Sequence, residues 1–189
     1  MKEKRIVFMG NSITEGWKNT DPGFFEGRPY IDRGISGQTT PQMLIRFRPD
    51  VIDLKPAIVI ILAGINDIAE NTGPMTLEET AGNIFSMAQL AKAANIKVII
   101  SSVLPANTFP WRPEIKPAEK VIELNILLKQ YCEENRITYL DYYSHMVDDK
   151  KGLDSRYGDD GVHPNLAGYK VMEGLVENAI KSALEKNGK

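Results

Sequence analysis

At 189 residues, with 42% apolar and 25% charged side chains, the chain has the composition of a soluble globular protein. One domain of this length buries roughly 70% of its unfolded surface. A net charge of −2 excludes a general field for capturing nucleic acid or anionic membranes, and the single cysteine, Cys132, excludes a disulfide framework or a cysteine-rich zinc site.

No apolar stretch reaches the ~20 residues that span a bilayer, so no stable membrane insertion is expected. The basic start, Met1-Lys2-Glu3-Lys4-Arg5, is followed by an apolar run too short for a signal peptide and without a cleavage site. The cytoplasm is therefore the default location. A secreted or periplasmic one follows if an export signal has been removed.

Apolar, β-branched runs alternate with amphipathic stretches along the chain. Strands are predicted at Arg5–Met9, Tyr30–Arg33, Ala57–Leu62, Lys97–Val103 and Ile137–Asp141. Ile58-Val59-Ile60-Ile61-Leu62 and Val98-Ile99-Ile100 do not alternate with polar residues, as expected of strands covered on both faces. After the first strand a polar turn, Gly10-Asn11-Ser12-Ile13-Thr14, leads to a short helix expected to start at Thr14 or Glu15. Pro41–Leu54 carries apolar residues near helical spacing, with Pro49 placed to bend or interrupt it. Thr76-Leu77-Glu78-Glu79 is a capping box that opens a helix to about Ala94. Two further helices are predicted at Pro117–Asn135 and Asn165–Lys186, and Cys132 falls inside the first of them as packing.

Strands alternating with helices imply an α/β fold with a parallel sheet and right-handed crossovers, here as a single domain. Two irregular stretches, Asn19–Pro29 and Pro105–Pro117, carry exposed-looking aromatics: Phe24 and Phe25 in one, Phe109 and Trp111 in the other. Both follow a strand's carboxyl end or its short helix, the side on which such sheets bind ligands.

The chemistry-bearing residues lie on that same side. Ser12 follows the first strand, Gly34-Ile35-Ser36-Gly37-Gln38-Thr39 the second, and Gly64-Ile65-Asn66-Asp67 the third; Asp159-Asp160-Gly161-Val162-His163-Pro164 precedes the last helix. If the strand order is flavodoxin-like, the first and third strands are neighbours and the four loops form one site. A serine there either caps its helix, holds an anion or acts as a nucleophile. A nucleophilic serine needs a base and a group to orient that base. The chain has two histidines. His163 is preferred because Asp160 lies three residues before it and Gly161 permits a tight turn between them. The acids nearest His145 in the chain, Asp148 and Asp149, fall in a solvated charged run. The Ser12 and Gly37 N–H groups and the Asn66 side chain are the available donors to a developing oxyanion, each worth ~10²–10³ in rate.

In these four blocks the chain resembles the GDSL/SGNH hydrolases, named for Ser, Gly, Asn and His in separated motifs. Gly10-Asn11-Ser12-Ile13, Gly37, Gly64-Ile65-Asn66-Asp67 and Asp160-Gly161-Val162-His163-Pro164 occur in family order over residues 10–164. The resemblance implies a flavodoxin-like three-layer α/β/α sandwich on a five-stranded parallel sheet, and ester hydrolysis without metal or cofactor. It implies Ser12 as nucleophile, His163 as base, Asp160 as its partner, and an oxyanion hole of Ser12, Gly37 and Asn66. One departure is Asn11, where the family usually has Asp.

The expected substrate is a small-molecule or carbohydrate acyl ester, short-chain and acetyl by preference, since no long apolar lid or membrane-docking segment is evident. Trp17, Phe25 and Trp111 are the candidate substrate contacts. Resemblance alone also allows lysophospholipids, acyl thioesters or the acetyl ester of platelet-activating factor. A flavodoxin-like phosphate-binding module is a different reading, but it leaves Asn66 and the Asp160/His163 pair without work. The sequence specifies no oligomeric state.

Overall fold

The computed structural model describes residues 4–185. Its five strands are β1 (Ile6–Gly10), β2 (Tyr30–Gly34), β3 (Ile58–Ile61), β4 (Lys97–Ser101) and β5 (Thr138–Leu140). They form one all-parallel sheet in the order β2-β1-β3-β4-β5. Every side chain of β3 is buried, because helices cover both faces of the sheet centre. The continuous apolar runs in the sequence encode that double coverage.

The helices are α1 (Ser12–Thr20), α2 (Pro22–Phe25), α3 (Thr40–Phe47), α4 (Ile65–Ile68), α5 (Leu77–Ala93), α6 (Ala118–Asn135), α7 (Tyr143–Met146) and α8 (Leu166–Glu185). Helices α3, α5 and α6 pack side by side in one layer. On the other face, α1 and α8 meet where the Trp17 and Tyr169 rings stack 5.5 Å apart. This is the expected three-layer sandwich. Three short helices, α2, α4 and α7, have no periodic signal in the sequence because they are single turns. Lys186, the predicted end of the last helix, lies outside the described residues.

The local signals act as the residues suggest. Thr76 accepts from the Glu79 N–H at 3.1 Å and the Glu79 carboxylate accepts from the Thr76 N–H at 2.9 Å, completing the capping box. Pro49 cannot donate to the turn before it, and α3 accordingly stops at Phe47. The chain continues as a π-helical turn over Arg48–Ile52, which keeps Val51 in the core with Met43 and Phe47.

The stretch Asn19–Pro29 differs from expectation. Phe24 and Phe25 are buried, and with Trp17 and Tyr30 they surround Phe8 of β1 at centroid distances of 5.4–5.9 Å. Helix α1 is only nine residues long, about 13 Å. The aromatics of the following turn cover the part of the β1/β2 face that it leaves bare.

Candidate active site

Strands β1 and β3 are neighbours, so the loops that follow them converge at one edge of the sheet. Ser12 is the first residue of α1, two or three positions earlier than the predicted start at Thr14 or Glu15, because Asn11 caps the helix. The Asn11 side-chain oxygen accepts from the Ile13 N–H at 3.1 Å, and its carbonyl accepts from Thr14 and Glu15 at 3.1 and 3.0 Å. Asn and Asp are equivalent caps, so this position keeps its local function without a buried charge. Being first in the helix, the Ser12 N–H has no carbonyl of its own helix to reach. It sits beside the hydroxyl at the positive end of the helix dipole.

The Ser12 hydroxyl lies 2.9 Å from His163 Nε2. On the far side of the ring, His163 Nδ1 is 2.7 Å from Asp160 Oδ2. With the ring proton on Nδ1, His163 donates to the carboxylate and Nε2 accepts from Ser12. Gly161, at φ +79°, lets the chain double back between acid and base. The other carboxylate oxygen accepts from the Val162 and His163 N–H groups at 2.8 and 2.7 Å. Partial burial works against the Asp160 charge, yet these N–H groups and the imidazole together hold its pKa below the usual carboxylate value. Asp160 is thereby committed to His163. The start of α8 is served instead by Asn165, whose side-chain oxygen accepts from the Gly168 N–H at 3.0 Å.

Gly37 occupies the third position of a turn closed by Gln38 N–H on the Ile35 carbonyl at 3.4 Å. Its φ of +77°, without a positive φ at Ser36, identifies a type II turn, in which that position favours glycine. Asn66, in α4, is buried and donates from Nδ2 to the Gln38 carbonyl at 2.9 Å, leaving the amide's second N–H for another acceptor. Gly37 and Asn66 are therefore held in one constellation by the loop after β2, on the sheet edge that also carries Ser12.

Several further residues hold this constellation through contacts that no sequence motif specifies. The buried Asp67 carboxylate accepts from the Thr40 N–H at 3.0 and 3.1 Å and from its hydroxyl at 2.6 Å, anchoring the start of α3 beside the Gly37 turn. Burial raises its pKa, and the Thr40 bonds partly offset that. Arg46 donates to the Gly10 carbonyl at 2.8 Å and the Arg33 carbonyl at 3.0 Å, clamping the ends of β1 and β2. Glu15 accepts from the Ser36 N–H at 2.8 Å, and Asn71 donates to the Gly37 carbonyl at 3.1 Å. Gly34 makes the Glu15 contact possible, since a Cβ there would lie 2.1 Å from the Glu15 nitrogen. Asp67 was visible beside Asn66 in its block. Arg46 carried no signal beyond its place in an amphipathic helix.

The candidate aromatics separate. Trp111 is 43% exposed, with its ring 6.1 Å from the His163 ring. Trp17 and Phe25 are 2% and 6% exposed and belong to the cluster around Phe8. They are core residues that do not reach the opening at Ser12. His145 also lies away from Ser12: its Nδ1 is 3.0 Å from the Asp141 carbonyl and 3.2 Å from Ser144 Oγ. Asp148, three residues after it in the chain, instead accepts from the Lys150 and Gly152 N–H groups at 2.8 and 2.7 Å.

A recess of about 780 Å³ lies at the opposite end of the sheet, between the start of β2 and α8, and includes none of the four blocks. Among the described residues, no three His, Cys, Asp or Glu side chains cluster in a way that could hold a metal ion. No helix there is long and apolar enough to cross a membrane.

A sequence model of the GDSL-like lipase/acylhydrolase family matches residues 8–171. The fold superposes on an assigned acylhydrolase from Bacteroides fragilis with a TM-score of 0.95 and 56% identity, over 97% of this chain and 89% of that one. A GDSL-like lipase from Bacteroides thetaiotaomicron gives a TM-score of 0.94 at 56% identity, over 96% and 90% of the two chains. Among curated proteins, esterase TesA of Pseudomonas aeruginosa is 36% identical over 88 residues, 45% of this chain and 42% of its own length. The match thus spans less than half of that curated relative.

Proposed function

This chain belongs to the GDSL-like lipase/acylhydrolase family, and we propose that it is a serine esterase releasing short acyl groups, acetyl by preference, from carbohydrate esters. The observation that carries the reading is the continuous Asp160–His163–Ser12 chain, with contacts of 2.7 and 2.9 Å. In it, Ser12 Oγ attacks the ester carbonyl while His163 Nε2 takes its proton, and Asp160 stabilises the imidazolium that results. The oxyanion faces the Ser12 N–H, the Gly37 N–H and the Asn66 amide. Collapse breaks the ester C–O bond, and the departing alkoxide oxygen takes the proton from the His163 imidazolium to leave as the alcohol. A water molecule, deprotonated by the same imidazole, then cleaves the acyl-serine to release the acid and free Ser12. No cofactor enters this sequence of steps.

The reading of a large alcohol is supported by exposure. The His163 and Asp160 side chains are 37% and 44% exposed, so the base stands at the surface, where a bulky alcohol can remain outside the protein. Hydrolysis of p-nitrophenyl acetate by wild type and Ser12→Ala tests the reading. Wild type should turn over well above buffer and the variant should not. No turnover in wild type, or an unchanged rate in the variant, overturns it.

A further inference from the structure

We propose that Trp111 is the platform for the leaving alcohol, taking the face of a pyranose ring, so that selectivity resides on the alcohol side of the ester. This rests on the esterase reading above. In a serine esterase the departing oxygen receives its proton from the base, and so must lie within hydrogen-bond reach of His163 Nε2. The carbonyl oxygen faces Ser12, Gly37 and Asn66. Those two directions place the alcohol over the histidine and send the acyl group elsewhere. The Trp111 ring, 6.1 Å from the His163 ring and tilted 37° to it, is the aromatic surface beside that departing oxygen.

The platform is held in place. Phe109, fully buried, stacks against Trp111 at 5.3 Å and 28°, leaving the indole's free surface to solvent. Asn107 donates to the Lys150 carbonyl at 3.2 Å on one flank of the loop. On the other, Arg112 pairs with Glu70 at 3.5 Å, two residues beyond the short helix that carries Asn66. These contacts tie the loop to the segment after Asn66 and lower the ordering cost of presenting the indole. A flat aromatic surface suits the face of a ring that presents C–H groups.

The test compares an acetylated methyl pyranoside with ethyl acetate, whose alcohol is too small to reach Trp111, and adds p-nitrophenyl esters of increasing acyl length. In Trp111→Ala the kcat/KM ratio for pyranoside over ethyl acetate should fall roughly five- to tenfold, through KM, the size expected for one aromatic contact. Trp111→Phe should restore most of it. Equal losses on both acetates, or a loss that grows with acyl length, would overturn the assignment. Calorimetric binding of the acetylated pyranoside to Ser12→Ala and to Ser12→Ala/Trp111→Ala reads the same contact without turnover. Equal affinities there would overturn it even if hydrolysis is never observed, whereas loss of the esterase reading alone would show as absent Ser12-dependent turnover.

Discussion

His145 and His163 each lie beside a serine hydroxyl and near an aspartate, yet the two clusters are connected in opposite orders. Around His145 everything is local. The Asp141 carboxylate accepts from the Ser144 N–H at 3.0 Å and its hydroxyl at 2.7 Å, so the acid is taken up by the serine. The imidazole then has only a backbone carbonyl and that same hydroxyl at its Nδ1. Around His163 the carboxylate holds the imidazole, and the imidazole faces a serine 151 residues away. A hydroxyl that donates to a carboxylate cannot hand its proton to imidazole. Possession of Ser, His and Asp therefore says little; the order of the contacts decides the chemistry.

Exchanging roles between the clusters should fail in a graded way. Ser12→Ala and His163→Ala should each lower kcat for p-nitrophenyl acetate by about 10⁴-fold or more, since the members of such a unit act together. A residual rate within tenfold of wild type would remove the distinction between the histidines. Asp160→Asn should cost about 10²–10⁴-fold, by losing the tautomer and the charge that supports imidazolium. The same variant carries a stability signature. Because the folded-state pKa of Asp160 is lowered, its ionised form contributes stability fully above the unfolded value. That contribution disappears as pH falls through the lowered folded value. Melting temperatures of wild type and Asp160→Asn should thus differ at neutral pH and converge as the pH falls through the lowered folded value. A constant gap would show that the variant acts through packing alone.

Asn66→Ala should lower kcat by about 10²–10³-fold while changing KM little, as expected for a donor used mainly in the transition state. A pure rise in KM would place Asn66 in substrate binding instead. At the bottom of the scale, His145→Ala and Ser144→Ala should leave kcat/KM within about twofold of wild type, as surface changes away from the site do. A large loss in either would give the local cluster a function that its wiring denies.

Sequence and structure agree best where one residue's neighbours in the chain are also its neighbours in space. The capping box at Thr76 and Glu79, the stop at Pro49 and the turn between Asp160 and His163 are all of this kind. Exposure of aromatics is another matter. Phe24, Phe25, Phe109 and Trp111 occur in similar Pro/Gly-rich stretches, yet three are core residues and Trp111 alone of these four is exposed. Each outcome depends on which part of the sheet the adjacent helices leave uncovered. The bracing contacts of Arg46 and Asp67 have no local signal for the same reason, since their partners at Gly10, Arg33 and Thr40 are distant in sequence.

By itself the sequence determined the parallel α/β architecture, because strands buried on both faces must be continuously apolar. It also determined the membership of the four blocks, because their residue types recur at successive strand ends. Tertiary structure alone decided that Asn11 is the cap, freeing the Ser12 N–H. It likewise brought the His163 imidazole that the Asp160 spacing favours to within 2.9 Å of Ser12, and decided that Trp111 rather than Trp17 or Phe25 stands beside that imidazole. Those outcomes depend on long-range packing and on distances of about 3 Å between groups far apart in the chain, which no local pattern encodes.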